Sequence, residues 1–209
     1  MAVFALPLCQ SHETAYMLPL EIRCNQSLLR PWRQSDRASL IHYANDREVW
    51  RNLRDVFPHP YTNEAADEWL ADVAGQPPAP GVYAIDVGGE AVGCIALDPG
   101  QDVERWSWEI GFWLGRSFWG QGIMPEALEA VTAAAFEIPD LIRIYAPVFS
   151  WNQRSMRVLE KAGYYREAVL VRGGVKDGTV IDRVIYARVR DTGMPYWPLE
   201  ESTTSDATA

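Results

Sequence analysis

Apolar and polar positions alternate at the strand period over some stretches and recur at the helix period over others. The switches order the chain as β-αα-βββ-α-β-α-ββ. Residues 21–32 alternate in part and end in Arg30-Pro31-Trp32, which predicts a first strand. Ser35 and Asp36 are residue types that cap helix N-termini, so a helix is expected to about Ala44, with residues 45–53 continuing as short helix or turn. Pro58 and Pro60 mark 55–61 as a loop, and Thr62 or Asn63 then caps a second helix over about 64–74 with Ala65, Trp69 and Leu70 on one face. A proline-rich connection fills 75–81. Strands follow at 82–87, 91–97 and 105–114, joined by a tight turn at Gly88-Gly89 and another at 98–100. A helix containing Leu128, Val131, Ala135 and Phe136 as core positions runs to about Glu137, and a strand occupies 141–149. Ser150 or Asn152 caps a helix to about Ala162, where Gly163 stands at the C′ position. Strands at 164–172 and 179–189 flank a loop at 173–178. The chain divides into an arm at 1–18, one domain at 19–192, and a polar tail at 193–209 of the composition that stays disordered.

Composition narrows the function classes. Of 209 residues, 48% are apolar, enough for one domain with a real core. A net charge of −9 argues against nucleic acid as a main partner and is compatible with electrostatic steering of a basic acceptor. Cys9, Cys24 and Cys94 form no paired framework, and His12, His42 and His59 form no ligand motif, so no disulfide scaffold or metal site is expected. No apolar run approaches the roughly 20 residues of a spanning helix. Residues 1–8 lack the basic start of a signal peptide. A cytoplasmic protein with no membrane partner is the expectation.

Chemistry concentrates after the strand at 105–114. Gly120 and Gly122 flank Gln121, and Pro125 stands where a first helical turn accepts proline. A glycine loop entering a helix gathers unpaired N–H groups at the positive end of the helix dipole, a place suited to phosphate. Gly122 is followed by Ile123 and Met124, which excludes a P-loop, and Pro125 stands where a dinucleotide fingerprint needs its third glycine. Glu109 lies on the strand leading into this loop. A carboxylate among Trp106, Trp108 and Trp113 is a candidate general base; the alternative is a strand glutamate facing solvent.

Three segments come in a telling order: Glu109-Ile110-Gly111-Phe112-Trp113-Leu114, then 118–127 with its glycine loop, then 152–164 beginning Asn152-Gln153-Arg154-Ser155. With Leu28-Leu29-Arg30-Pro31-Trp32 and Pro60-Tyr61-Thr62, they resemble the GNAT acetyltransferase superfamily. Within it they are similar to the RimJ/RimL branch of ribosomal-protein-alanine N-acetyltransferases. The resemblance covers about residues 20–190. It implies an α/β (α+β) GNAT fold: a mixed, mostly antiparallel seven-stranded sheet, splayed between its fourth and fifth strands, with about four flanking helices and acetyl-CoA in the splay.

On this resemblance, the backbone of Trp119, Gly120, Gln121, Gly122, Ile123 and Met124 grips the pyrophosphate, and Phe112, Trp113 and Leu114 pair with the pantetheine arm. One N–H of those three polarises the thioester carbonyl. The superfamily pattern places Gln or Arg where Ser117 stands here. Asn152 bonds the pantetheine, or only caps its helix, and Ser155 protonates the departing thiolate. Leu159 excludes the tyrosine acid that many relatives place at that position. Lys161 approaches the cofactor's phosphates or is a solvated helix lysine. Asp55, His59 and Tyr61 are acceptor-site candidates, the alternative being loop residues that bond their own backbone. The expected reaction moves an acetyl group to a primary amine, a protein N-terminus or a small amine, by direct attack in a ternary complex, in a monomer or homodimer. The rival is a non-catalytic acyl-CoA-binding module.

Overall fold

The structure, a computed structural model, describes residues 18–74 and 81–193. The expectations for the N-terminal arm, the polar tail and most of the proline-rich connection fall outside the described residues, as do Cys9 and His12.

Eight strands form one sheet. They are β1 (Ile22–Arg23), β2 (Leu28–Arg30), β3 (Val82–Val87), β4 (Glu90–Asp98), β5 (Ser107–Leu114), β6 (Arg143–Phe149), β7 (Tyr165–Lys176) and β8 (Thr179–Val189), in the order β1-β2-β3-β4-β5-β6-β8-β7. Every neighbouring pair is antiparallel except β5 with β6. The helices are α1 (Arg37–Ala44), α2 (Arg47–Trp50), α3 (Asn63–Val73), α4 (Ile123–Ala135) and α5 (Gln153–Lys161).

Both faces of the central strands are covered, while β7 at the sheet edge is mostly exposed. Ile123, Ala127, Leu128 and Val131 of α4 and Met156 and Leu159 of α5 pack with Ile95, Ile110, Ile144 and Val184 of the sheet. On the other face, Leu40, Val49, Trp69 and Leu70 of the first three helices pack with Cys94 and Trp113. The middle strand β4 is therefore buried along nearly its whole length.

Three expectations are corrected. The first strand is a hairpin, because the chain turns at 24–27, where Cys24 N–H bonds the Ser27 carbonyl at 2.9 Å; this makes eight strands of the expected seven. Asp36 makes no side-chain cap to α1. Its carboxylate instead takes the Arg30 guanidinium at 2.8 and 2.9 Å, since a buried arginine needs it more than a helix end that water can reach. The loop expected at 173–178 is mostly strand. A register shift between Leu170 and Gly174 carries β7 to Lys176, and Asp177-Gly178, at φ 49° and 71°, makes the two-residue hairpin turn.

Candidate active site

The parallel pairing of β5 with β6 lasts only from Ser107↔Arg143 to Glu109↔Tyr145, and the two strands then diverge. Two bonds fix which β5 groups face the opening. Gly115 N–H donates to the Val92 carbonyl on the β4 side at 2.7 Å, whereas the Trp106 carbonyl accepts from Ile142 N–H on the β6 side at 3.0 Å. Successive residues of a strand alternate between neighbours, so the backbone groups of Ile110 and Phe112 face the gap and those of Trp113 face β4. The Leu114 carbonyl already accepts from Trp119 Nε1 at 2.7 Å. Of the expected trio Phe112, Trp113 and Leu114, only Phe112 thus offers a complete free edge, joined by Ile110, which sequence reasoning had not singled out.

Beyond β5, a short turn of 3-10 helix at Arg116–Phe118 delivers the chain to the glycine loop. Gly120 (φ 79°) and Gly122 (φ 86°) both take the left-handed conformation that a glycine accepts without strain. Gly122 caps α4 with no side-chain partner, and the N–H groups of residues 120–124 meet no acceptor among the described residues. A Cβ on Gly120 would meet open space. At the position where the resemblance expects Gln or Arg, the Ser117 carbonyl is used instead: Gln121 Nε2 donates to it at 2.9 Å and folds the loop on itself. The Arg154 guanidinium of α5 stacks on Trp119, 5.1 Å from the ring centre.

A cavity of about 320 Å³ fills the splay and opens toward the α1–α3 layer. Glu109, Phe112, Trp113, Asn152 and Ser155 all line it, so two of the three sequence segments converge there. Asn152 does two jobs at once. Its Oδ1 caps α5 by accepting from Ser155 N–H at 3.1 Å, and its Nδ2 donates to Ser155 Oγ at 2.9 Å. With that oxygen serving as acceptor, the Ser155 hydroxyl proton is free for another partner.

Glu109 is one-fifth exposed and ion-paired to Arg54 Nη2. Asp98 on β4 and Tyr145 on β6 are its direct cross-strand neighbours. Burial first, and then the Glu109 charge, raises the pKa of Asp98; burial and the same charge raise that of Tyr145. Sequence reasoning missed Arg54, Asp98 and Tyr145, and only Arg54, next to Asp55 in the expected acceptor loop, carried any positional signal.

The remaining candidates are scattered. Asp55 lines the cavity, where its carboxylate holds Lys176 Nζ at 2.8 Å, and that ammonium also sits 3.9 Å from the centre of the Trp50 ring. This contact, with Arg47 to Asp177 at 3.4 Å, ties the β7–β8 hairpin over the cavity. His59 stacks on the outer Trp50 ring at 5.4 Å, away from the cavity wall. Tyr61 is buried beside Phe57 in the α1–α3 core, where burial raises its hydroxyl pKa, so it does not reach the acceptor space. Lys161 is exposed at the far end of α5 from Asn152, also outside the cavity wall. Among the described residues, no group of His, Cys, Asp and Glu could hold a metal ion, and no helix is long and apolar enough to cross a membrane.

Comparison with known proteins bears on this site directly. A family model described as Acetyltransferase (GNAT) domain matches residues 27–165. The protein named "Probable N-acetyltransferase YjcK" of Bacillus subtilis (strain 168) is 40% identical over 78 residues, 37% of this chain and 43% of that one. The chain spans about half the length of the curated relatives it matches at 30–40% identity. An acetyltransferase (GNAT family) structure from Bacillus anthracis superposes with a TM-score of 0.70 at 22% identity, covering 81% of this chain and 98% of that one. Mycobacterium smegmatis RimJ in complex with CoA-disulfide gives 0.67 at 24%, covering 84% and 88%. At these identities the superpositions speak for the fold. The family match is independent of them and takes in the free β5 edge, the glycine loop and the Asn152–Ser155 turn together: the chain belongs to the GNAT acetyltransferase domain family.

Proposed function

We propose that this protein is an acetyl-CoA-dependent N-acetyltransferase acting on a primary amine. One observation carries the reading: the unpaired β5 edge lines the cavity that holds Glu109 and Ser155, and the chain leaves that edge through one short turn for a glycine loop whose N–H groups lack acceptors among the described residues. An edge of free backbone groups followed by an anion-binding loop suits an amide-bearing arm that ends in a pyrophosphate. That the related RimJ structure contains CoA-disulfide supports the same assignment. When bound, acetyl-CoA supplies an acyl group activated as a thioester.

The chain's own residues divide the remaining work. The N–H groups of Gly120 to Met124 hold the pyrophosphate, and Ile110 and Phe112 align the arm, the Phe112 N–H polarising the acyl carbonyl. Glu109 takes a proton from the acceptor ammonium, directly or through water, so that the nitrogen lone pair can bond the acyl carbon. As the carbon–sulfur bond breaks, the Ser155 hydroxyl gives its proton to the sulfur, with Asn152 fixing its orientation. Both substrates occupy the cavity together, since no cysteine lines it except Cys94, whose thiol burial pushes up to about 12. With Glu109 on the cavity wall, the acceptor enters amine first, as a peptide N-terminus or a slender small amine does. A relative named for ribosomal N-acetylation fits the peptide and a cytoplasmic setting.

The test is thiol release from acetyl-CoA across a panel of N-terminal peptides and small amines. Turnover with at least one class is expected. Tight CoA binding with no turnover on any acceptor would return the chain to a non-catalytic acyl-CoA-binding module. A second expectation concerns the loop. Gly120→Ala keeps the loop neutral and meets no neighbour, so it carries only the strain of a left-handed residue. Gly120→Asp adds a carboxylate facing the pyrophosphate and should weaken acetyl-CoA binding about tenfold beyond the alanine variant. Equal affinities for the two folded variants, measured by calorimetry, would refute the loop assignment.

A further inference from the structure

The cavity is lined by three cations, and only two have partners. Arg54 is paired with Glu109 and Lys176 with Asp55. Arg183 also lines the cavity, half-buried, yet its guanidinium makes no hydrogen bond or ion pair to any described residue. In a chain of net charge −9, an inward-facing guanidinium without an acid is conspicuous. It has lost part of its hydration and gained nothing in exchange, and its planar fork is the side chain best matched to a carboxylate.

Strand register fixes which substrate it can meet. Arg183 on β8 is paired with Phe149 on β6. The intervening positions Ala146, Val148, Val184 and Tyr186 point into the core beneath α4 and α5, so Arg183 points to the opposite face. The glycine loop leads into α4, on the first face. Arg183 therefore faces the acceptor space and not the pyrophosphate site. Glu109, opposite Tyr145, is on the same face, and Tyr145 to Phe149 is about 13 Å of extended strand. The acceptor cavity thus has an anionic pole at Glu109 and a cationic pole at Arg183.

Resting on the reading of this cavity as the acceptor site, we propose that Arg183 is an anion subsite. The acceptor is an amine that carries a carboxylate several bonds away, which the Arg183 guanidinium grips while the amine lies at Glu109. Two sources share this chemistry: a peptide with an acidic residue shortly after its N-terminus, and a free ω-amino acid. An α-amino acid, with both groups on one carbon, is the short limit and spans the poles poorly.

The experiment uses matched probes on the full chain. Ala-Ala-Asp-Ala is compared with Ala-Ala-Asn-Ala, both as C-terminal amides, and 6-aminohexanoate with its amide. Binding to the CoA-loaded protein is read by calorimetry and transfer by thiol release. In at least one pair the acid should bind ten- to a hundredfold tighter than its neutral partner, the range of a charge-assisted hydrogen bond. The pair that discriminates tells peptide from small molecule. Arg183→Gln should erase the preference and Arg183→Lys should keep part of it. In both variants, acetyl-CoA affinity and transfer to the neutral probes should stay unchanged. Equal binding of acid and amide by the wild type, or a preference that survives in Arg183→Gln, overturns the subsite. So does a loss of acetyl-CoA affinity in Arg183→Gln, which would assign the guanidinium to the cofactor. Acid-selective binding without any transfer would instead overturn only the transferase reading, because the binding readout does not depend on turnover.

Discussion

Glu109→Gln should lower kcat by about 10²–10⁴-fold, the usual contribution of a positioned proton acceptor, with little change in acetyl-CoA affinity. The two effects separate because of how β5 is used. The odd-numbered residues, Glu109 included, spend their backbone groups on β4, while the edge that faces the splay belongs to Ile110 and Phe112. Changing the Glu109 side chain therefore leaves the cofactor edge in place. An α-ammonium of ordinary pKa, about 7.7–8.0, is mostly protonated at neutral pH and cannot attack until the proton leaves. Glutamine keeps the size of the side chain but offers only a weak amide oxygen, and it frees Arg54. Asp98, across the strand pair, carries a pKa raised by burial and by the Glu109 charge. It is a cross-strand carboxylate that does not line the cavity, so Asp98→Asn should cost much less than Glu109→Gln. The measurement is kcat and kcat/KM against pH for both variants. Wild-type rates across the whole pH range in that variant would remove Glu109 as the base.

The parts of this site that could be read from the chain are those where local rules and function coincide. Gly120 and Gly122 need a left-handed backbone, and Asn152 is a helix cap whatever else it does, so their spacing survives as a pattern in the residues. The period-two stretch at Glu109 to Leu114 likewise announces a strand. What could not be read depends on pairing between distant segments. Which β5 groups are free is set by two bonds, Gly115 to Val92 and Trp106 to Ile142, and no residue type encodes their parity. Arg54, Asp98, Tyr145 and Arg183 come from four different segments, and the last three share a sheet face only because of how β4, β5, β6 and β8 pair. Tyr61 illustrates the opposite error. A polar aromatic in a loop suggests a substrate contact, but apolar neighbours such as Phe57 and Leu40 draw its ring into the core. The misreading of Asp36 has the same origin: a cap signal is local, and the partner that claimed the carboxylate was a buried cation on another element.

That cation carries the second large effect. Arg30→Ala should destabilise the fold by about 3–5 kcal/mol, the cost of stranding buried charges. Arg30 is 0% exposed. Its Nε donates to Asp86 Oδ2 at 2.7 Å, and its two terminal nitrogens donate to Asp36 at 2.8 and 2.9 Å. Each carboxylate has one backbone partner besides, Arg33 N–H for Asp36 and Gly89 N–H for Asp86, both at 2.8 Å. The guanidinium therefore joins β2 to the end of β3 and to the start of α1, and its loss leaves two buried acids without a counter-charge. For a chain of this size, 1 kcal/mol moves the midpoint by roughly 2–4 °C, so a fall of about 6–20 °C is expected. Replacing all three charges together, Arg30→Met with Asp36→Leu and Asp86→Leu, should cost far less than the single change, because the penalty comes from the unpaired acids and not from the missing attraction. Urea unfolding of the single and triple variants decides this. A single variant within about 1 kcal/mol of wild type, or a triple variant as unstable as the single, would show that the acids find water or other donors once the arginine is gone.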